Sequence, residues 1–254
     1  MITTEARVNS GVTQQFPPDA YLFQAFLPNL KPDFPLVLPK GIPTIEEAED
    51  IVDDLTATLN QDQLPVNIDA ILSYCGVTRI SNHSSLVVKG LSRTYGYIGE
   101  VGDEYFIVRV NSSDSAEEQV CTKGHELGHR ILHETGYPVG QYKRIFASEE
   151  RGSIEWERRI IERLAVERSC DELGRMVLAP RRLLVPQAQE VDFRNVIRTN
   201  DSFRPELSAE IIALFTITQL PPVKFVWRLS ELGLLKEDLF WLQGLLQKHL
   251  KESN

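Results

Sequence analysis

The sequence predicts an α+β chain: a small, mainly antiparallel sheet leading into an active-site helix, followed by a small helical carboxyl-terminal region. Three observations predict it. Short apolar runs bounded by Gly, Asn and Asp fill residues 78–111. Apolar residues recur at helical spacing on both sides of them. The stretch "CTKGHELGHRILHE", residues 121–134, gathers three of the chain's five histidines. With 254 residues, 42% hydrophobic and 25% charged, the chain has the composition of an ordinary globular protein with a real core. The net charge of −9 is spread over isolated Asp and Glu, which argues against a protein that coats nucleic acid or anionic membrane. No run approaches the roughly 20 apolar residues that cross a bilayer, so no membrane partner is expected. The first residues lack the basic segment and compact apolar stretch of a secretory signal, and a cytoplasmic location is the expectation. Three widely spaced cysteines are an odd count and read as reduced thiols.

In chain order, residues 1–43 hold seven of the fourteen prolines. That density blocks helices and central strands and predicts an extended arm, lying over the main domain or lidding a cleft. From Thr44 the pattern turns helical: Thr44 and Glu47 form a capping-box signature, and Ile45, Ala48, Ile51, Val52 and Leu55 share a face. "PVNIDAILSYCGV" predicts a second, short helix with Asn67 as its cap and Gly76 at its end. Four apolar runs follow as strands, "TRISN", "SSLVVKG", "YGYIGEV" and "EYFIVRVN", the last two forming a hairpin across Gly102-Asp103. "GYPVGQYKRIFASEERGS" reads as a polar loop. Residues 154–180 predict a long amphipathic helix stopped by Pro180. Beyond it, residues 208–235 predict two helices around a turn at 216–222, and residues 237–251 a final one. The expected units are therefore an arm (1–43), a central domain (44–182) and a helical region (183–254).

His125-Glu126-Leu127-Gly128-His129 satisfies H-E-x-x-H. On a helix, residues four apart face the same way, so both imidazoles can converge on one ion with Glu126 displaced toward its water. A catalytic zinc takes a third protein ligand and keeps one position open. The long helix offers Glu162, Glu167, Asp171 and Glu172. Glu167 and Asp171 share a face, so one carboxylate can bind metal while the other accepts the free N–H of a ligand histidine; Glu167 is the third ligand and Asp171 the orienting group. E-x-x-x-D is the arrangement of thermolysin-like zinc peptidases. Such a centre predicts an ion that polarises the scissile carbonyl and eases deprotonation of its water, with Glu126 taking that proton and passing it to the leaving amine. Tyr137, Tyr142 and Arg175 are the candidates for oxyanion stabilisation. "EYFIVRVN" is the strand expected to receive an extended substrate along its edge.

The combination resembles the ImmA/IrrE metallopeptidases. The resemblance runs over "LPVNIDAILSYCGV", "GYIGEVGDEYFIVRVNSSDS", "HELGHRILH" and "ERSCDELGRMVLAP", between about residues 44 and 182. It implies a zincin-like peptidase domain with ligands His125, His129 and Glu167, catalytic Glu126, and zinc, or Mn or another divalent first-row ion, as cofactor. It further implies site-specific cleavage of a helix-turn-helix repressor inside a bacterial cell in a stress or mobile-element response. Ala179 stands where the family has Met before the proline, the arm precedes the family's usual start, and Pro221-Pro222 lengthens the turn of the tail's helix-turn-helix-like pair.

Other readings stand beside these. A regulatory, antitoxin-like binding protein with a structural or vestigial metal site would carry the same motif. Its tail would then bind DNA or a protein, although residues 181–254 hold ten Lys or Arg against nine Asp or Glu, a weak footprint for phosphate contact. His133 is either an outer partner of the site or a packing residue. Cys121 is either a thiolate near the metal or a small buried residue. Cys75 and Cys170 are expected in the core, and His83 and His249 belong to no constellation.

Overall fold

The computed structural model describes residues 42–83, 96–101, 105–134, 154–191, 193, 207–235 and 239–253. The proline-rich arm up to residue 41, the run "SSLVVKG", and Tyr137 and Tyr142 in the polar loop lie outside them. Helix α1 (Ile45–Thr58) begins where the sequence places it: Thr44 accepts from the Glu47 amide, and the Glu47 carboxylate returns to the Thr44 amide at 2.8 Å. Helix α2 (Ile68–Tyr74) is capped by Asn67, whose Oδ1 accepts from the Ala70 amide at 3.1 Å. Gly76, at φ +85°, then turns the chain into the sheet through a left-handed conformation that costs a Cβ-bearing residue energy.

The sheet has strands β1 (Val77–His83), β2 (Gly96–Val101) and β3 (Tyr105–Asn111) in the order β1-β3-β2. β2 and β3 are antiparallel, with Ile98 opposite Val108, as the hairpin reading expects. β1 pairs with β3 in parallel, Ile80 opposite Val108. The expectation of a mainly antiparallel sheet is corrected: one of the two ladders is parallel. Alternation along a strand reports which face is buried, not which way the strand runs. Here β1 leaves α2 in the same sense as β3. A second correction follows, because β3 is central and both its edges are paired. The strand expected to take a substrate along its edge cannot do so, and the outer described strands are β1 and β2.

Beyond β3, Ser115 and Glu118 cap one another, Glu118 N to Ser115 Oγ at 3.2 Å and Ser115 N to Glu118 Oε2 at 3.1 Å. They start α3 (Ala116–Glu134), the helix of the His-Glu motif. It is tied to α2 by Lys123–Asp69 at 2.7 Å and by Arg130, whose Nε donates to the Cys75 carbonyl at 2.8 Å. Helix α4 (Ile154–Leu178) stops just short of Pro180. Its last turns are not a surface stripe: Leu173, Met176, Val177, Leu178 and Ala179 are all buried, because α3, α1 and a later helix surround them. An amphipathic pattern was expected there, and a central helix is found.

Helices α5 (Arg181–Gln189), α6 (Ala209–Thr218), α7 (Pro222–Glu231) and α8 (Leu239–Ser253) complete the described chain. Ser208 caps α6, and Gln219 at φ 55° opens the turn that Pro221 and Pro222 lead into α7. Taken together α6 and α7 are apolar enough to suggest a membrane span. They bend by 98°, however, and bury Ile211, Leu214, Phe215, Phe225 and Leu229 in the protein; no single described helix is long and apolar enough to cross a bilayer. These residues join one continuous core with Val52, Leu72, Val108, Leu127 and Leu173. Arg228, fully buried, forks onto the Glu49 carboxylate of α1, with Nη2 to Oε2 at 2.8 Å, and its Nε donates to the Ala179 carbonyl at 2.9 Å.

Candidate metal centre

Helices α3 and α4 cross with almost nothing between them. A Cβ on Gly128 would lie 2.7 Å from Cys170 Cα, and one on Gly174 would lie 2.8 Å from the Gly124 carbonyl carbon. Only hydrogen fits at these positions, and the close approach brings the histidines of one helix against the carboxylates of the other. The spacing of four on each helix then does the rest, stacking His125 above His129 and Glu167 beside Asp171.

His125 Nε2 and His129 Nε2 are 3.1 Å apart. Glu167 Oε2 lies 3.2 Å from the first and 3.5 Å from the second, closing a triangle of ligand atoms that all fall within 4.8 Å of one another. Bonds of about 2.0–2.1 Å in a tetrahedral site require edges of about 3.3–3.4 Å, so the donors present fit a first-row divalent ion. The outer ring nitrogens are already engaged. Asp171 Oδ1 is 3.0 Å from His125 Nδ1, and Cys170 Sγ is 3.2 Å from His129 Nδ1. With Asp171 accepting from His125 Nδ1, the Nε2 lone pair of that ring faces the triangle, and the same tautomer of His129 would present its Nε2 beside it.

The electrostatics follow from that crowding. Burial opposes a charge on His125, but the carboxylates of Asp171, Glu167 and Glu126 outweigh it and hold the ring's pKa well above its ordinary value. Burial likewise raises Glu167, and His129 and His125 overcome it, leaving that carboxyl well below its usual range. Asp171 is also lowered: burial resists, and hydrogen bonds from His125 and Lys224 prevail. Opposed shifts of this kind come from imidazoles and carboxylates packed against one another, and such clusters mark functional-site candidates. Glu126 is buried, at 4% exposure, and close enough for its charge to act on His125.

The remaining candidates divide. Arg175 is engaged with α7: its Nη2 donates to Glu231 Oε1 at 2.5 Å and its guanidinium lies 5.4 Å over the Trp227 ring. His133 sits 3.5 Å from Arg130 Nη1. Cys121 is buried, and burial pushes its thiol up to about 11, which fits a packing residue rather than a thiolate. Cys75 ends α2, half-buried, and packs against the core from its margin. Cys170 is fully buried as expected, yet it also touches a ligand histidine. That contact had one signal in the sequence, its position three after Glu167 on the face that meets α3. Lys224 had none, because it arrives from α7, 53 residues beyond the carboxylate it binds at 3.0 Å.

Residues 92–202 match the family model of the IrrE N-terminal-like domain, Peptidase_M78, and over that stretch the chain is similar to that peptidase family. No curated protein and no solved structure matches the chain.

Proposed function

We propose that this chain, proceeding from its similarity to the IrrE N-terminal-like domain, is a zinc- or manganese-dependent endopeptidase that cuts a helix-turn-helix repressor at one site in the cytoplasm. The triangle of His125, His129 and Glu167 carries the reading. Two nitrogens and one carboxylate oxygen are the donor set of a catalytic rather than a closed structural site, because three protein ligands leave a position for water. A divalent ion there supplies Lewis acidity toward a peptide carbonyl and makes water easier to deprotonate. Glu126 then does the work of this chain: its carboxylate takes the water proton and hands it to the leaving amide nitrogen. Asp171 holds His125 in the tautomer that presents Nε2, and Cys170 packs against Nδ1 of His129.

The experiment pairs the protein with helix-turn-helix repressors from its own cell, any encoded by a neighbouring gene first, with added Zn or Mn. Wild-type protein should cut at one bond, and Glu126→Gln should lower the rate by roughly a hundredfold to ten-thousandfold while retaining metal. Bound metal without cleavage would favour an antitoxin-like binding protein, and undiminished cleavage by Glu126→Gln would place the general base elsewhere.

A further inference from the structure

Asp171 Oδ1 has two partners. It stands 3.0 Å from His125 Nδ1 and 3.0 Å from Lys224 Nζ. Lys224 belongs to the first turn of α7, and α7 is fastened elsewhere by groups that take no part in the centre: Arg228 to Glu49 and to the Ala179 carbonyl, Glu231 to Arg175. The ammonium is therefore delivered by a helix whose position is already set. Asp171 is the group that needs delivering to, since its side chain is 44% exposed and water competes for the oxygen that orients His125. A carboxylate held at one oxygen by a fixed lysine cannot swing away from the imidazole.

We infer that Lys224 is a positioning residue of the metal centre, acting through Asp171 on His125, so that the helical carboxyl-terminal region is part of the peptidase machinery. The inference rests on the metal-centre reading above. Two effects oppose each other. The lysine charge repels a dication and weakens the carboxylate as an acceptor, whereas its hydrogen bond fixes the carboxylate's orientation. Lys224 is only 24% exposed, so its charge is screened in part; the inference is that fixing the orientation of the carboxylate outweighs the repulsion that is left.

The test measures zinc affinity by competition with a chromophoric chelator, together with the visible absorption bands of the cobalt-loaded protein. Variants are Lys224→Met, Lys224→Arg, Asp171→Asn and the Lys224→Met/Asp171→Asn pair. Thermal melts of the metal-free forms check the fold. Lys224→Met should weaken zinc binding roughly tenfold, the lower end of what outer partners contribute, and shift the cobalt bands. Lys224→Arg should restore both. In the Asp171→Asn background Lys224→Met should add nothing, because its path is gone. Affinity within about twofold of wild type, or penalties that simply add, would overturn the inference and leave the metal centre standing. A wild-type protein that holds no zinc or cobalt would instead overturn the metal-centre reading, and this inference with it.

Discussion

Without a metal, the ring of His125 binds a proton that an incoming ion has to displace. Its pKa is raised in the folded protein, so the stability it contributes is present below the unfolded value of about 6.5 and is lost as pH rises through the folded one. Glu167 and Asp171 are lowered, so theirs is present above the unfolded values of about 4 and is lost as pH falls through the folded ones. Chelator-treated protein should therefore be most stable between about pH 4.5 and 6.5, falling on either side, as thermal melts across pH will read. Metal uptake should release protons and strengthen as pH rises through the raised His125 pKa, which an indicator dye in weak buffer detects. Asp171→Asn should cost roughly ten- to a hundredfold in metal affinity, since the amide accepts less strongly from His125 Nδ1. Most of this was legible in the sequence at residue level. A helix repeat alone carries His125 to His129 and Glu167 to Asp171, and the chemistry of the residue types supplies their roles. Cys170 had only its place on the face of Glu167 to suggest it, and Lys224 was not legible as a partner at all, because nothing in a linear pattern says what reaches the site from a distant helix.

At the scale of elements, the contact between α3 and α4 determines whether the two halves of the site meet. Gly128→Ala places a methyl 2.6 Å from the Cys170 carbonyl oxygen, a backbone atom that cannot rotate aside. The helices must separate, at a cost of about 1–3 kcal/mol, and the triangle must open with them. A lower melting temperature and lost metal retention are expected together. Gly244→Ala, with open space around its Cβ position on α8, should do neither and serves as the control. Capping boxes, the proline stop and the glycine exit of α2 were readable because each is a local device with a local cause. The parallel pairing of β1 and the burial of the last turns of α4 were not. Strand sense and the number of helix neighbours depend on how distant segments pack, and single-sequence periodicity carries neither.

For the whole molecule, the decisive joint is Arg228 with Glu49, which fastens α7 to α1 across 179 residues of sequence. Arg228→Met leaves a buried carboxylate unpaired and should destabilise the fold by about 3–5 kcal/mol in chemical denaturation. The added Glu49→Leu change should recover much of that loss, because an apolar pair asks for no counter-charge. A chain cut after residue 182 removes Phe225 and Leu229 from the common core and should fail to yield a stable, metal-retaining domain. The same joint sets a clock during synthesis. At about 5–20 residues per second, the ribosome makes Glu49 roughly 9–36 s before Arg228. Lys224 emerges in that same late interval, so a nascent chain that has already displayed His125, Glu126, His129 and Glu167 still lacks the helix that squares them.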